Sequence, residues 1–151
     1  MDHERWMLEA LALADEAAAA GEVPVGCVII RGGRIVGRGR NRREEDRSAL
    51  AHAELDAIRE ACAALGDWRL SDCGLYVTLE PCPMCAGAIL NARLKWLCFG
   101  ARDPKTGSCG SVLNLFEENY GYRPAVYGGV LEAECLERMQ RFFRGLRQNA
   151  D

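Results

Sequence analysis

Two short stretches hold residue types that can do chemistry together: His52-Ala53-Glu54 and Pro81-Cys82-Pro83-Met84-Cys85. A Cys-x-x-Cys pair on its own is shared by structural zinc sites and redox dithiols. A structural zinc normally takes four protein ligands. The remaining histidine here is His3, close to the N-terminus, and there is no second Cys-x-x-Cys. One imidazole and two thiolates make three ligands and leave a fourth position for water, which is the catalytic arrangement. A redox dithiol would leave His52-Ala53-Glu54 unexplained. Each residue also has a plainer use: His52 as a helix cap, Glu54 as a first-turn charge, the cysteines as buried thiols. Their joint occurrence, with Pro81 ahead of the first cysteine, favours the metal.

The elements around these residues decide whether they can meet. Residues 4–20 carry Trp6, Ala10, Leu13 and Ala17 at helical spacing and stop at Gly21. Val25 to Ile30 is a β-branched run, Gly32-Gly33 signals a hairpin, and Arg34 to Gly39 can return as its partner. Residues 40–50 are charged and read as a surface loop. A helix is expected from about His52 to Leu65, a buried strand from Leu75 to Leu79, and a helix from Pro83 to Ala92 with proline in its first turn. Trp96 to Phe99 reads as a strand, Gly100 to Gly110 as a long loop, and Ala125 to Tyr127 as a short fifth strand. The last helix has Leu136, Met139, Phe143 and Leu146 on one apolar stripe.

That order predicts a single domain over residues 1–151, an α/β fold of three layers with helices covering a mixed sheet. Cys82 and Cys85 then fall at the first turn of their helix, where free N–H groups and the helix dipole favour thiolates. His52 sits at the matching end of the preceding helix. Residues two apart inside a helix face different ways, so His52 and Glu54 can share a site only at the helix entrance. There Glu54 can reach a water on the metal and move its proton, as general acid and base.

The composition sets outer bounds. The chain has 151 residues, 49% apolar and 27% charged, enough for one hydrophobic core. No apolar run approaches the ~20 residues of a membrane span, and no basic-then-apolar leader opens the sequence. A cytoplasmic protein without membrane attachment is expected. Net charge is −3, which argues against general nucleic-acid binding as the main task while allowing local basic patches. Eight cysteines without an export signal point to metal binding and buried free thiols. Cys27, Cys62, Cys73, Cys98 and Cys135 read as core thiols, and Cys109, among glycine and serine, as an exposed one.

Further segments are distinctive in combination: Glu22-Val23-Pro24-Val25-Gly26, Asn41-Arg42, Leu75 through Cys82 (LYVTLEPC), Met84-Cys85-Ala86-Gly87-Ala88, Gly100 through Ser108 (GARDPKTGS) and Phe142-Phe143-Arg144. With them, nearly the whole chain resembles the zinc-dependent deaminases of the cytidine deaminase superfamily, and most closely the bacterial tRNA-specific adenosine deaminases. The H-x-E…P-C-x-x-C signature and its mechanism are established for that class. The resemblance implies a cytidine-deaminase-like fold with a five-stranded mixed sheet between helices. It implies one zinc ion per chain on His52, Cys82 and Cys85, with Glu54 as proton shuttle. Zinc-bound hydroxide would attack C6 of a flipped adenine and release ammonia, giving inosine at the wobble position of a tRNA anticodon. Val25, Asn41, Ala53, Leu79 and Pro81 would line the base and ribose pocket. Asp103 and Lys105 would touch flanking nucleotides, with Phe143, Arg144 and Arg147 of the tail also on the substrate. The family's habit further implies a homodimer whose partner helps shape the site. The chain departs from the family at Ser48-Ala49-Leu50-Ala51, where a rigid Asp-Pro-Thr-Ala-like turn is usual, and carries Pro83 where an aliphatic residue is common.

Two other functions compete with RNA editing. A deaminase of a free nucleobase or nucleoside, of guanine or cytosine type, could use the same zinc site. A non-catalytic zinc-binding subunit is a third class, against which the intact Glu54 speaks. The arginines of three segments favour RNA: Arg40, Arg42, Arg43 and Arg47; Arg102 with Lys105; and Arg138, Arg141, Arg144 and Arg147. They are expected to ring the site. Apolar character from Leu90 to Phe99 and on the helix surfaces beside the site is the sequence's own argument for a dimer face.

Overall fold

The computed structural model describes residues 2–150. The order is α1 (His3–Ala19), β1 (Gly26–Arg31), β2 (Arg34–Arg40), α2 (Ala53–Leu65), β3 (Gly74–Leu79), α3 (Pro83–Asn91), β4 (Trp96–Ala101), β5 (Ala125–Tyr127) and α4 (Glu132–Ala150), with one 3-10 turn at Leu115–Glu117. The five strands form one sheet in the order β2-β1-β3-β4-β5. β1 is antiparallel to β2 and β3, while β3, β4 and β5 run parallel. The mixed five-stranded sheet between helices expected from the sequence is the fold observed. Among the described residues no helix is long and apolar enough to cross a membrane.

The core follows the two-residue period of the strands. Cys27, Ile29, Leu75, Val77, Leu97 and Phe99 point to one side, where they pack with Ala53, Ala57 and Ala61 of α2 and Ala86 and Ile89 of α3. Val28, Ile30, Tyr76 and Cys98 point to the other, against Trp6, Met7, Ala10 and Leu11 of α1 and Cys135 of α4. Gly32 and Gly33 close the hairpin with φ of +55° and +75°, the left-handed values its turn requires. The alanine row of α2 lies almost on the backbone of β2: a Cβ at Gly39 would overlap the carbonyl oxygen of Ala53, and one at Gly37 that of Ala57. Glycine on the strand and alanine on the helix therefore fix how far in α2 sits, and with it His52.

Several local expectations are corrected. β4 runs on through Gly100 and Ala101, because Leu79 and Ala101 still pair in the sheet, so the loop begins at Arg102. The 3-10 turn was unforeseen; the Asn114 side chain accepts the Phe116 N–H there and seats the Phe116 ring in the core. Leu136, Phe143 and Leu146 of the expected apolar stripe are 41, 40 and 49% exposed, and among the described residues the deeply buried one of α4 is Cys135. Leu90, Leu94 and Leu97 are spent on the chain's own core, so the Leu90–Phe99 stretch is not a spare apolar face. All eight cysteines are free thiols; Cys109 is buried rather than exposed, and Cys62 is only half-buried.

Candidate active site

The start of β1, the end of β2 and the C-terminal ends of parallel β3 and β4 all lie at one edge of the sheet, the usual place for a ligand in such folds. Both chemistry-bearing helix entrances open there. His52 stands just before α2 with φ −89° and ψ 151°, so it is still extended while Glu54 is already helical. The difficulty of two residues spaced i, i+2 is resolved in that way. Cys82 occupies the same position before α3 with φ −75° and ψ 173°, and Pro83 is the first helical residue.

His52 Nδ1 is 3.7 Å from Cys82 Sγ and 3.5 Å from Cys85 Sγ. The three ligand atoms lie within 4.8 Å of one another. Zinc bonds of about 2.1 Å to nitrogen and about 2.3 Å to sulfur give a tetrahedron with N···S edges of about 3.6 Å. The donor set fits zinc in type and in spacing. The charges fit too. The Cys85 thiol, bonded to Cys82 sulfur, brings Cys82 down to about 4, helped by His52. The same bond pushes Cys85 well up, and the bond to Cys82 raises His52. The pocket thus stabilises a soft anionic sulfur beside an imidazole, which suits a soft or borderline divalent cation.

Glu54 is only 4% exposed. Burial pushes its carboxyl up to about 7, so near neutral pH it can both take and give a proton. It faces a cavity of about 160 Å³, with His52 and Cys82 also in its lining. The sequence-predicted Val25, Asn41, Ala53, Leu79 and Asp103 all line this cavity. Arg43, one of the arginines expected around the site, lines it too, and so do Val23, Glu80 and Thr106, which were not singled out. Val23, Glu80 and Thr106 lie inside motifs the sequence already marked, and Arg43 borders the cavity from the basic loop while remaining exposed. Pro81 and Lys105 do not line it: the Pro81 carbonyl accepts the Ser108 N–H at 2.9 Å, and Lys105 is exposed on a turn where its N–H bonds Asp103 Oδ1 at 3.0 Å.

Phe143, Arg144 and Arg147 are exposed on α4 and stand apart from the cavity. A wider groove of about 610 Å³ runs between α1 and α4, with Asp15, Gly21, Arg138, Arg141 and Leu146 among its walls. It holds none of the metal-ligand set. It does place the second half of α4 beside the end of α1, next in sequence to Glu22 and Val23. Of the expected ring of arginines, Arg40 pairs with Glu45, Arg42 with Glu45 and Asp56, Arg138 with Asp15, and Arg141 with Glu137.

The sequence pattern of the MafB19-like deaminases matches residues 1–147. The chain belongs to that deaminase family. Among curated relatives, this deaminase is 49% identical over 146 residues to the tRNA-specific adenosine deaminase of Bacillus subtilis (strain 168), covering 96% of this chain and 91% of that protein. It is 50% identical over 145 residues to the tRNA(Ile)-lysidine synthase of Deinococcus radiodurans, covering 95% of this chain but only 25% of that longer protein. A solved structure from work on A-to-I editing by tRNA:A34 deaminases at the wobble position superposes with a TM-score of 0.85 at 44% identity, covering 89% of this chain and 98% of that one.

Proposed function

We propose that this deaminase hydrolyses adenosine to inosine at the wobble position of a tRNA anticodon. The observation that carries the reading is the near full-length likeness to tRNA adenosine deaminases, joined to an intact His52, Cys82, Cys85 and Glu54 arrangement around one cavity. A base reaches such a cavity only when unstacked, as in an anticodon loop. Val25 and Leu79 offer apolar walls for its faces, and Asn41 and the backbone at Ala53 offer polar contacts for its edge and ribose. His52, Cys82 and Cys85 hold the zinc ion. Zinc supplies Lewis acidity that makes water a nucleophile at neutral pH. The buried Glu54 carboxyl carries protons from the attacking water to the purine and the departing amino group, which leaves as ammonia. Asp103 and Lys105, on the loop after β4, meet neighbouring nucleotides, and Phe143, Arg144 and Arg147 meet the stem-loop farther out.

The active unit in this reading is a twofold homodimer, with one zinc per chain, working in the cytoplasm on its tRNA. Exposed Leu50, Val112 and Leu113 lie on the two segments that bound the site and supply apolar surface for a second copy. The test is direct. Zinc-loaded protein is incubated with an anticodon stem-loop bearing adenosine at the wobble position and, separately, with adenosine, cytidine and guanine, and products are identified by mass. Inosine in the stem-loop alone supports the reading. Turnover of the free base or nucleoside with an untouched stem-loop would replace it with the alternative. Light scattering at micromolar concentration checks the dimer, and a monomer there counts against it.

A further inference from the structure

Two glutamates that are no part of the metal site are almost wholly buried, Glu80 in the cavity lining and Glu22 next in sequence to Val23, which lines it. Glu22 and Glu80 are each 2% exposed. Among the described residues neither forms an ion pair. Each is instead spent on backbone N–H groups of a loop. Glu22 accepts the N–H of Glu44 at 3.1 Å and of Glu45 at 2.8 Å, one on each oxygen. Glu80 accepts the N–H of Asp103 at 3.0 Å, of Cys109 at 2.9 Å and of Ser111 at 3.1 Å, together with the Ser111 hydroxyl. The two loops are the ones that supply Asn41 and Arg43 on one side of the cavity and Asp103 and Thr106 on the other.

We propose that Glu22 and Glu80 are a matched pair of positioning residues, each a buried carboxylate on which one wall of the substrate cavity is hung. Only an ionised carboxylate has four acceptor sites and no donor, and its bonds to N–H groups are charge-assisted. A glutamine in either place presents an NH₂ to N–H groups it cannot bond and leaves buried donors unsatisfied. The loop around Glu80 is shaped for the contact: a Cβ at Gly107 would overlap the Glu80 carboxyl carbon, so only glycine lets the backbone pass. The Ser108 N–H then returns to the Pro81 carbonyl at 2.9 Å, tying the same loop to the residue before Cys82. Glu22 does the equivalent for the segment that has Ser48-Ala49-Leu50-Ala51 in place of a proline turn. The loop there is ordered by Glu22, by Asn41 Oδ1 accepting the Arg43 N–H at 3.1 Å, and by the Arg42 N–H on the Ala51 carbonyl at 3.0 Å.

The role of the walls rests on the stem-loop reading above; the clasp itself does not. The experiment therefore has two readouts on the zinc-loaded full chain. In Glu80→Gln, amide hydrogen exchange at Asp103, Cys109 and Ser111 should speed up at least tenfold while α1 and β1 exchange as before. Glu22→Gln should do the same for Glu44 and Glu45 and leave the Glu80 loop alone. With an anticodon stem-loop, each variant should raise KM about tenfold or more, lower kcat much less, and keep one zinc per chain. Should Glu80→Gln fail to fold, Ser111→Ala removes one donor only and should show the same pattern, smaller. Unchanged exchange at these amides overturns the clasp. Uniform loss of protection across the molecule, or an unchanged KM where wild type is active, overturns the positioning role. A wild type inactive on the stem-loop overturns the functional reading and leaves the exchange result to decide the clasp.

Discussion

In the proposed reaction Glu54 concentrates the proton chemistry into one side chain. It is outside the metal-ligand set: His52 Nδ1 and the two sulfurs match three corners of a zinc tetrahedron, and the fourth suits a water. Its carboxyl, raised to about 7 by burial, is suited to moving protons. Glu54→Ala should therefore lower kcat by at least ~10²–10⁴-fold while zinc content and melting temperature stay close to wild type; elemental analysis beside single-turnover kinetics checks both. A variant that lost its zinc together with its activity would make Glu54 a structural partner of the site instead. At this scale the sequence was most legible where spacing forces an outcome. His52, Glu54, Cys82 and Cys85 needed only helix entrances to meet. Glu22 and Glu80 were not legible, because an acceptor for backbone N–H groups has no spacing pattern: its partners lie 22 to 31 residues away along the chain and depend on how a loop folds back.

The elements explain why those entrances stay in register. α2 is held at its depth by Gly37 and Gly39 of β2, so the position of His52 depends on a strand face that supplies no metal ligand. Gly39→Ala should force the first turn of α2 outward. A loss of about 1–3 kcal/mol is typical of such overpacking, and zinc retention against a chelator should fall with it; a variant that keeps both would show that α2 is placed by other contacts. α1 is fastened differently. His3 Nδ1 lies 2.7 Å from the Tyr76 hydroxyl, which also accepts the Trp96 indole N–H at 3.1 Å, and 3.5 Å from Cys98 Sγ. Burial lowers the His3 pKa from 6.5, outweighing the nearby Asp2. A group whose folded pKa is depressed contributes stability above its unfolded value and loses it as pH falls through the folded one. The melting temperature should thus drop on acidification from pH ~7 to ~5 more in wild type than in His3→Asn, with equal drops removing His3 from the account. Helices and strands were readable from periodicity, but α4 shows the limit. Its stripe is a genuine helical period, and yet Leu136, Phe143 and Leu146 stay largely exposed, since periodicity reports a face and not what covers it.

For the molecule as a whole, the question is how a chain of net charge −3 holds a polyanion. Counting arginines gave three basic segments; the folded structure divides them by partner. Arg40, Arg42, Arg138 and Arg141 are engaged with Glu45, Asp56, Asp15 and Glu137, and such surface pairs neutralise the field locally even where they add little stability. Arg144 and Arg147 form no ion pair among the described residues and are exposed. They lie on the half of α4 that borders the end of α1, the segment leading into Glu22 and Val23 at the cavity. A substrate anchored in the cavity by one base and extending past α1 would meet them with its phosphates, outside the reacting centre. Interactions of that kind add binding without touching the chemical step, so removing them appears in KM and not in kcat. Arg144→Ala with Arg147→Ala should therefore raise KM for an anticodon stem-loop several-fold at constant kcat. It should also flatten the dependence of log affinity on log salt by about 0.7 for each single-strand phosphate that is no longer neutralised. Arg138→Ala with Arg141→Ala, which also frees Asp15 and Glu137, serves as the control that separates a local interaction from a change in total charge. Equal effects of the two pairs would mean that the helix acts only through its overall field. No effect of Arg144 and Arg147 at any salt concentration would mean that the stem-loop leaves the protein by another face.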